Sequence, residues 1–214
     1  LRRVNIGIPS LDGSTWSAIA RGPEELAPRA TGAIEAALAA GLAPVKVNVV
    51  MLRGTNDDPT PWLDLVRRLP IEVRFIEFMP MGPSDGADLF VPASETEARL
   101  REASNVAWER AGSEAGRGPV KETWRVGGSP GTIGFIHAMS DHFCARCNRL
   151  RLTSDGHLRT CLFSDDELDL KPALRPSIDM ERLRALLREA VASKPRCIPM
   201  DPRHGRRWMG QVGG

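Results

Sequence analysis

Several common features are scarce or missing in this chain of 214 residues, and each gap excludes something. Four cysteines, unevenly spread, do not make a disulfide framework. No apolar run reaches 18 residues, so no membrane span is expected, and no signal peptide is expected either. The net charge is only +2, from 29 basic and 27 acidic residues, which gives nucleic-acid binding no support at the level of composition. No G-x-G-x-x-G follows a strand, so a Rossmann dinucleotide site is unsupported. Internal repeats and low-complexity tracts are also missing. A chain of this length buries about 70% of its extended surface and holds one large domain or two small ones.

What is present begins as an alternation of strands and helices. Val4 to Ile8 predicts a short strand, Pro28 to Ala40 a helix ended by Gly41, and Val45 to Leu52 a β-branched strand fit for a parallel sheet. Pro61 to Leu69 predicts a second helix and Ile71 to Phe78 a third strand, which completes a βαβ pattern. The pattern alone does not separate an open sheet from a barrel. Met79 to Asp88 is turn-rich, and Ser94 with Glu97 forms a capping box for a helix to about Ala103. Residues 112 to 131 are Gly-rich and charged and read as a linker or loop. Short strands are expected near Glu122 to Val126, Thr132 to His137 and Leu150 to Thr153, with a turn at Ser154-Asp155-Gly156. A last helix over Met180 to Ala192 carries an apolar stripe of Met180, Leu183, Leu187, Ala190 and Val191, read as core.

The chemistry concentrates in FCARCNRLRLTSDGHLRTC, where Cys144, Cys147 and Cys161 are spaced C-x2-C-x13-C. A structural zinc site wants four protein ligands, and His142 or His157 is near enough in sequence to be the fourth. An iron–sulfur cluster held by three thiolates instead leaves one iron open to a non-protein ligand. Spacing alone leaves both readings standing. Cys197 lies 36 residues beyond Cys161 and reads as an ordinary free thiol. Arg146, Arg149, Arg151 and Arg159 crowd the cysteine run, and Arg203, Arg206 and Arg207 lie near the end. Arg149 and Arg151, two apart on a strand, would share a side, where their guanidinium forks match phosphate oxygens. Ordinary surface arginines are the competing reading. Lys46 sits in an apolar strand with Asn48 on its side, a costly place unless the charge meets an anion or snorkels to solvent. Arg74 raises the same question.

The cysteine run resembles the C-terminal cluster segment of the GTP 3′,8-cyclase family of molybdenum cofactor biosynthesis, within the radical S-adenosylmethionine superfamily. LRRVN (Leu1 to Asn5), PVKVNVVMLRGTNDD (Pro44 to Asp58), VRFIEFMPMG (Val73 to Gly82) and the final Gly213-Gly214 match further family landmarks in the family's order. The likeness covers nearly the whole chain. It implies an α/β fold: the second half of a partial (βα)6 TIM-type barrel over residues 1–110, then a C-terminal α+β iron–sulfur domain over 111–214. The superfamily's C-x3-C-x2-C triad is not in this sequence, so the chain reads as the C-terminal part of such an enzyme, inactive alone.

The same resemblance implies roles and partners. Cys144, Cys147 and Cys161 would hold a [4Fe–4S] cluster, with a second cluster expected in the missing N-terminal part. Lys46, Arg149, Leu150 and Arg151 would contact GTP, Met79 would lie against the adenine of S-adenosylmethionine, and Gly213 and Gly214 would form the family's functional tail. Gly7 stands where the family has a serine that helps hold S-adenosylmethionine, and Pro9 where it has an aspartate. The implied reaction forms a bond between C3′ and C8 of GTP by radical chemistry. Implied partners are the downstream cyclic pyranopterin monophosphate synthase, an electron donor such as flavodoxin or ferredoxin, and optionally a second copy in a homodimer. The location would be the cytoplasm of a bacterium or the mitochondrial matrix of a eukaryote. From a different class, the competing function is a non-catalytic iron–sulfur or zinc nucleotide-binding module.

Overall fold

Val4–Gly7 (β1), Val45–Met51 (β2) and Ile71–Glu77 (β3) lie side by side and parallel, with Val4 beside Val45 and Val45 beside Ile71. Their alternating residues sort onto two faces. One face carries Val45, Val47, Val49, Met51, Ile71, Val73 and Phe75, all buried. The helices between the strands, Ala27–Ala39 (α2) and Pro61–Arg68 (α3), add Ile34, Ala37, Trp62, Leu63 and Val66 to the same apolar cluster. The computed structural model describes residues 1–80, 86–112, 120, 122–141, 144 and 147–197. It has an α/β architecture in two compact units, Leu1–Met79 with Leu89–Asp141, and Pro80–Asp88 with His142–Gly214.

Helix α2 stops as expected at Gly41. The Leu42 N–H donates to the Ala37 carbonyl and the Gly41 N–H to Leu38, with Gly41 at φ +70, a left-handed turn that closes the helix end. A helix the sequence reading did not foresee, Gly13–Ala20 (α1), begins at Asp12, whose carboxylate accepts the Thr15 N–H at 2.8 Å. The expected capping box at Ser94 and Glu97 is not formed. Helix α4 (Ala93–Ser104) starts at Ala93 without a side-chain cap from its own sequence. A carboxylate from another element does that work: Glu77, at the end of β3, accepts the Ala93 N–H at 2.9 Å.

The sheet continues past residue 110, where a domain boundary was expected. Trp108–Gly112 (β4) pairs antiparallel with Thr123–Val126 (β5), β5 with Thr132–Ile136 (β6), and β6 runs parallel beside β3. The six strands stand in the order β1-β2-β3-β6-β5-β4. The strand expected near Glu122 to Val126 is β5, so the segment read as a linker over 112 to 131 holds that expected strand. The units divide at Asp141, because β6 is bonded into the first sheet through β3.

In the second unit, Arg151–Leu152 (β7), His157–Arg159 (β8) and Glu167–Asp169 (β9) make a three-stranded antiparallel sheet. The expected turn is present: Gly156 donates to the Thr153 carbonyl, and Leu152 pairs with Leu158. Lys171–Leu174 (α5) and Met180–Ala192 (α6) come next in the chain. The stripe expected to be the core side of α6 is corrected. Leu183, Leu186 and Ala190 face the core cluster, whereas Met180, Leu187 and Val191 are exposed. No helix among the described residues is long and apolar enough to cross a membrane.

Candidate functional site

The second face of the parallel sheet is polar. Asn5 and Gly7 on β1, Lys46 and Asn48 on β2, Glu72 and Arg74 on β3, and Thr132 and Gly134 on β6 sit side by side across it. Lys46 and Arg74 are buried, at 9% and 7% exposure, so neither simply snorkels to solvent. Glu72 lies between them. Its Oε2 is 3.4 Å from Lys46 Nζ and its Oε1 accepts from Arg74 Nε at 2.5 Å. Gly134 makes room for this group, since a Cβ there would meet Val120 at 3.0 Å and the Glu72 carboxylate at 3.6 Å. Beside the cations, Asn48 Oδ1 is buried with no hydrogen-bond partner among the described residues. The two cations suit an anionic group and the unsatisfied acceptor suits a hydrogen-bond donor, so this wall fits a polar ligand that carries both. Glu72 and Asn48 were not foreseen as site residues. The signal was there, because residues two apart on adjacent parallel strands share a face, but the register that joins them is long-range.

At the C-terminal end of β3, Glu77 is almost wholly buried and collects four donors. The N–H groups of Ala93, Met139 and Ser140 and the Ser140 hydroxyl all donate to it, at 2.9, 2.7, 2.8 and 2.5 Å. Burial alone would push its carboxyl up, but these bonds outweigh it and hold the carboxyl below its ordinary range. Glu77 thus fixes the segments that come after β3 and β6. Met79 is half-buried two residues after β3. A cavity of about 450 Å³ near Asp12, Asp57 and Asp58 has the wrong charge for a phosphate.

In the second unit, Cys144 and Cys147 form one turn, the Cys147 N–H donating to the Cys144 carbonyl at 3.1 Å. Both are half-buried, as is Cys161, while Cys197 is exposed. Arg151 reports on the neighbourhood. Burial holds its guanidinium below its ordinary range, repulsion from Arg149 and Arg159 adds to this, and Cys147 and Cys161 oppose it. Two of the three cysteines and two further arginines are therefore gathered about Arg151. Arg149 and Leu150 precede β7 and are exposed, so the expected strand over Leu150 to Thr153 shortens to Arg151–Leu152. Arg159 is fully buried; it donates to the Ser164 carbonyl and lies 3.6 Å from Asp165 and 3.5 Å from Glu167.

No group of three or more His, Cys, Asp or Glu among the described residues is close enough to hold a metal ion. A single ion needs its donors in one coordination sphere, whereas a four-iron cluster takes one thiolate per iron and accepts a wider triangle. The donor set of three thiols, with the Arg151 guanidinium near Cys147 and Cys161 to offset the charge of an anionic cluster, fits the larger group. Of the zinc alternative's histidines, His157 has Nδ1 3.3 Å from Asp155, and His142 lies outside the described residues. Gly213 and Gly214 also lie outside them.

A family model described as Molybdenum Cofactor Synthesis C matches residues 71–199, more than half of the sequence. The chain belongs to that family. The match runs from β3 to just past α6 and takes in all three cysteines and the arginines around them. A protein of Pelotomaculum thermopropionicum named GTP 3′,8-cyclase is 42% identical over 218 residues, covering 100% of this chain and 66% of its own length. One of the same name from Moorella thermoacetica is 42% identical over 217 residues with the same coverage. A third, from Listeria welshimeri, is 37% identical over 198 residues, covering 91% of this chain and 57% of its own length. The chain thus spans about two thirds or less of the length of these relatives.

Proposed function

We propose that the chain is the substrate-holding part of a GTP 3′,8-cyclase, a lyase of molybdenum cofactor biosynthesis that uses S-adenosylmethionine and iron–sulfur chemistry. The gathering of Cys147, Cys161 and Arg149 about Arg151 carries this reading, inside a chain 42% identical to proteins of that name. The parallel strands β1, β2, β3 and β6 would be barrel strands, with the polar face of Lys46, Asn48 and Arg74 turned to the ligand. The three-stranded sheet would belong to the cluster domain. Cys144, Cys147 and Cys161 would hold a [4Fe–4S] cluster, which supplies an open iron to the substrate when bound.

The other roles belong to the chain's own side chains. Arg149 and Arg151 present guanidinium forks suited to phosphate oxygens, and Lys46 a buried point charge. Glu77 ties the start of α4 and the Met139–Ser140 segment to the end of β3, two residues before Met79, which is assigned to the adenine of S-adenosylmethionine. A Cβ at Gly7 would meet nothing within 4 Å, so the departure from serine removes a hydroxyl without filling its place. The partners this reading assigns are GTP, the cyclic pyranopterin monophosphate synthase and a flavodoxin- or ferredoxin-type electron donor. The three cyclase relatives are bacterial, which supports a cytoplasmic location.

Anaerobic reconstitution tests the reading. The chain is expected to take up iron and acid-labile sulfide and to bind GTP, with affinity falling about tenfold or more when Arg149 and Arg151 are both changed to Ala, since charged hydrogen bonds are worth about 1.5–3 kcal/mol each. Stoichiometric zinc without sulfide, or GTP affinity indifferent to both arginines, would replace it with a non-catalytic binding module.

A further inference from the structure

Lys194, just beyond α6, belongs neither to the cysteine motif nor to the groups assigned to GTP. Its Nζ donates to the carbonyl of Arg149 at 2.7 Å and to the carbonyl of Thr160 at 2.6 Å. Arg149 is two residues past Cys147, and Thr160 immediately precedes Cys161. The hairpin register explains why an ammonium is needed there. The β7–β8 ladder pairs Leu152 with Leu158 and Arg151 with Arg159, and then stops. Continued by one step and two, it would bring residue 150 opposite 160, and 149 opposite 161. The chain ends instead run on unladdered toward the cysteines. The two carbonyls are both acceptors and cannot bond to each other, but an ammonium with three donors can join them. Charge-assisted bonds of this kind are short and strong.

We propose that Lys194 is a positioning residue for the cysteine site: a clamp that fixes how far the chain leaving Cys147 and the chain entering Cys161 splay apart beyond the end of the hairpin. It rests on the cluster reading in one respect, that the splay it sets is the opening into which an iron–sulfur cluster fits. The thiols are then presented by a frame of backbone already held in place, and little ordering is left for the moment of cluster assembly.

The test compares wild type with Lys194→Met, which keeps the length and removes every donor, and Lys194→Arg, which keeps the donors. After anaerobic reconstitution, Lys194→Met is expected to hold severalfold less iron and sulfide per chain, with an altered electron paramagnetic resonance signal in the reduced state. Circular dichroism of the metal-free protein should be unchanged, and Lys194→Arg should restore most of the loss. Full iron and sulfide with the wild-type signal in Lys194→Met would overturn the clamp. A wild-type chain that takes up neither iron nor sulfide would defeat the cluster reading instead. The clamp would then be judged on the metal-free chain in a Cys144→Ser, Cys197→Ser background, by the rate at which diamide joins Cys147 to Cys161. That rate should rise severalfold in Lys194→Met as the splayed ends are released, and an unchanged rate would overturn it.

Discussion

The first unit is built around one extended apolar cluster in which the inner residues of β2 and β3 meet Ile34, Trp62, Leu63, Val66 and Leu100 from the helices. In the second, the described cluster is Leu158, Leu170 and Ala190, with Leu168, Leu174, Leu183 and Leu186 packed partly against it. Its strands are two or three residues long. Polar ties also hold its described residues: Arg159 to the Ser164–Glu167 segment, and Lys194 to the Arg149 and Thr160 carbonyls. The two units also treat cations differently. In the first, Glu72 sits against both Lys46 and Arg74. In the second, Arg149 and Arg159 repel Arg151 beside two cysteines, and Arg159 faces Asp165 and Glu167 as well.

The largest effect should fall in the first unit. Phe75 is 1% exposed and stacks on Phe135 with centroids 6.0 Å apart. Phe75→Ala should cost about 3–5 kcal/mol, the usual cost of such a core truncation. Amide hydrogen exchange should show the loss across β2, β3 and β6, with β7–β9 protected as before; equal loss in both would break the distinction between the units. The second unit should answer to a polar change instead. Arg159→Met removes a fully buried guanidinium from between Asp165 and Glu167, which are themselves partly exposed. Breaking a buried pair costs about 3–5 kcal/mol, and the exposure of the carboxylates lowers this to about 2–3 kcal/mol. The same exchange experiment reads it as faster exchange in β8 and β9 alone.

Local patterns in the sequence carried part of this arrangement. The run from β1 through α2, β2 and α3 to β3 is legible because periods of two and 3.6 are local, and Gly41 marks a helix end by a conformation other residues avoid. The cysteines are legible because chemistry fixes their spacing. What is not legible depends on partners far along the chain. The start of α4 is decided by Glu77, 16 residues earlier, rather than by Ser94 and Glu97. Strand β6 joins β3 across an intervening hairpin, which moves the boundary between the units from residue 110 to Asp141. Strand β4, mostly exposed, has no apolar alternation to announce it. Glu72 finds Lys46 only through the β2–β3 register, and Lys194 reaches Thr160 across 34 residues.

The contrast in charge yields the smallest expected effect and the sharpest sign. An anion that uses Lys46 and Arg74 must share them with the Glu72 carboxylate or displace it, and it meets that carboxylate's repulsion at close range in a poorly solvated site. Glu72→Gln keeps the shape and an oxygen that can still accept from Arg74 Nε, and removes only the charge. Calorimetric titration with GTP and with inorganic triphosphate should then show binding about tenfold tighter, or about 1.4 kcal/mol. The gain should shrink as salt is raised. Weaker binding would mean that Glu72 serves mainly to hold the two cations in position. The first unit's cations would then depend on their carboxylate as the second unit's segments depend on Arg159, and the difference between the two would lie in the apolar core alone.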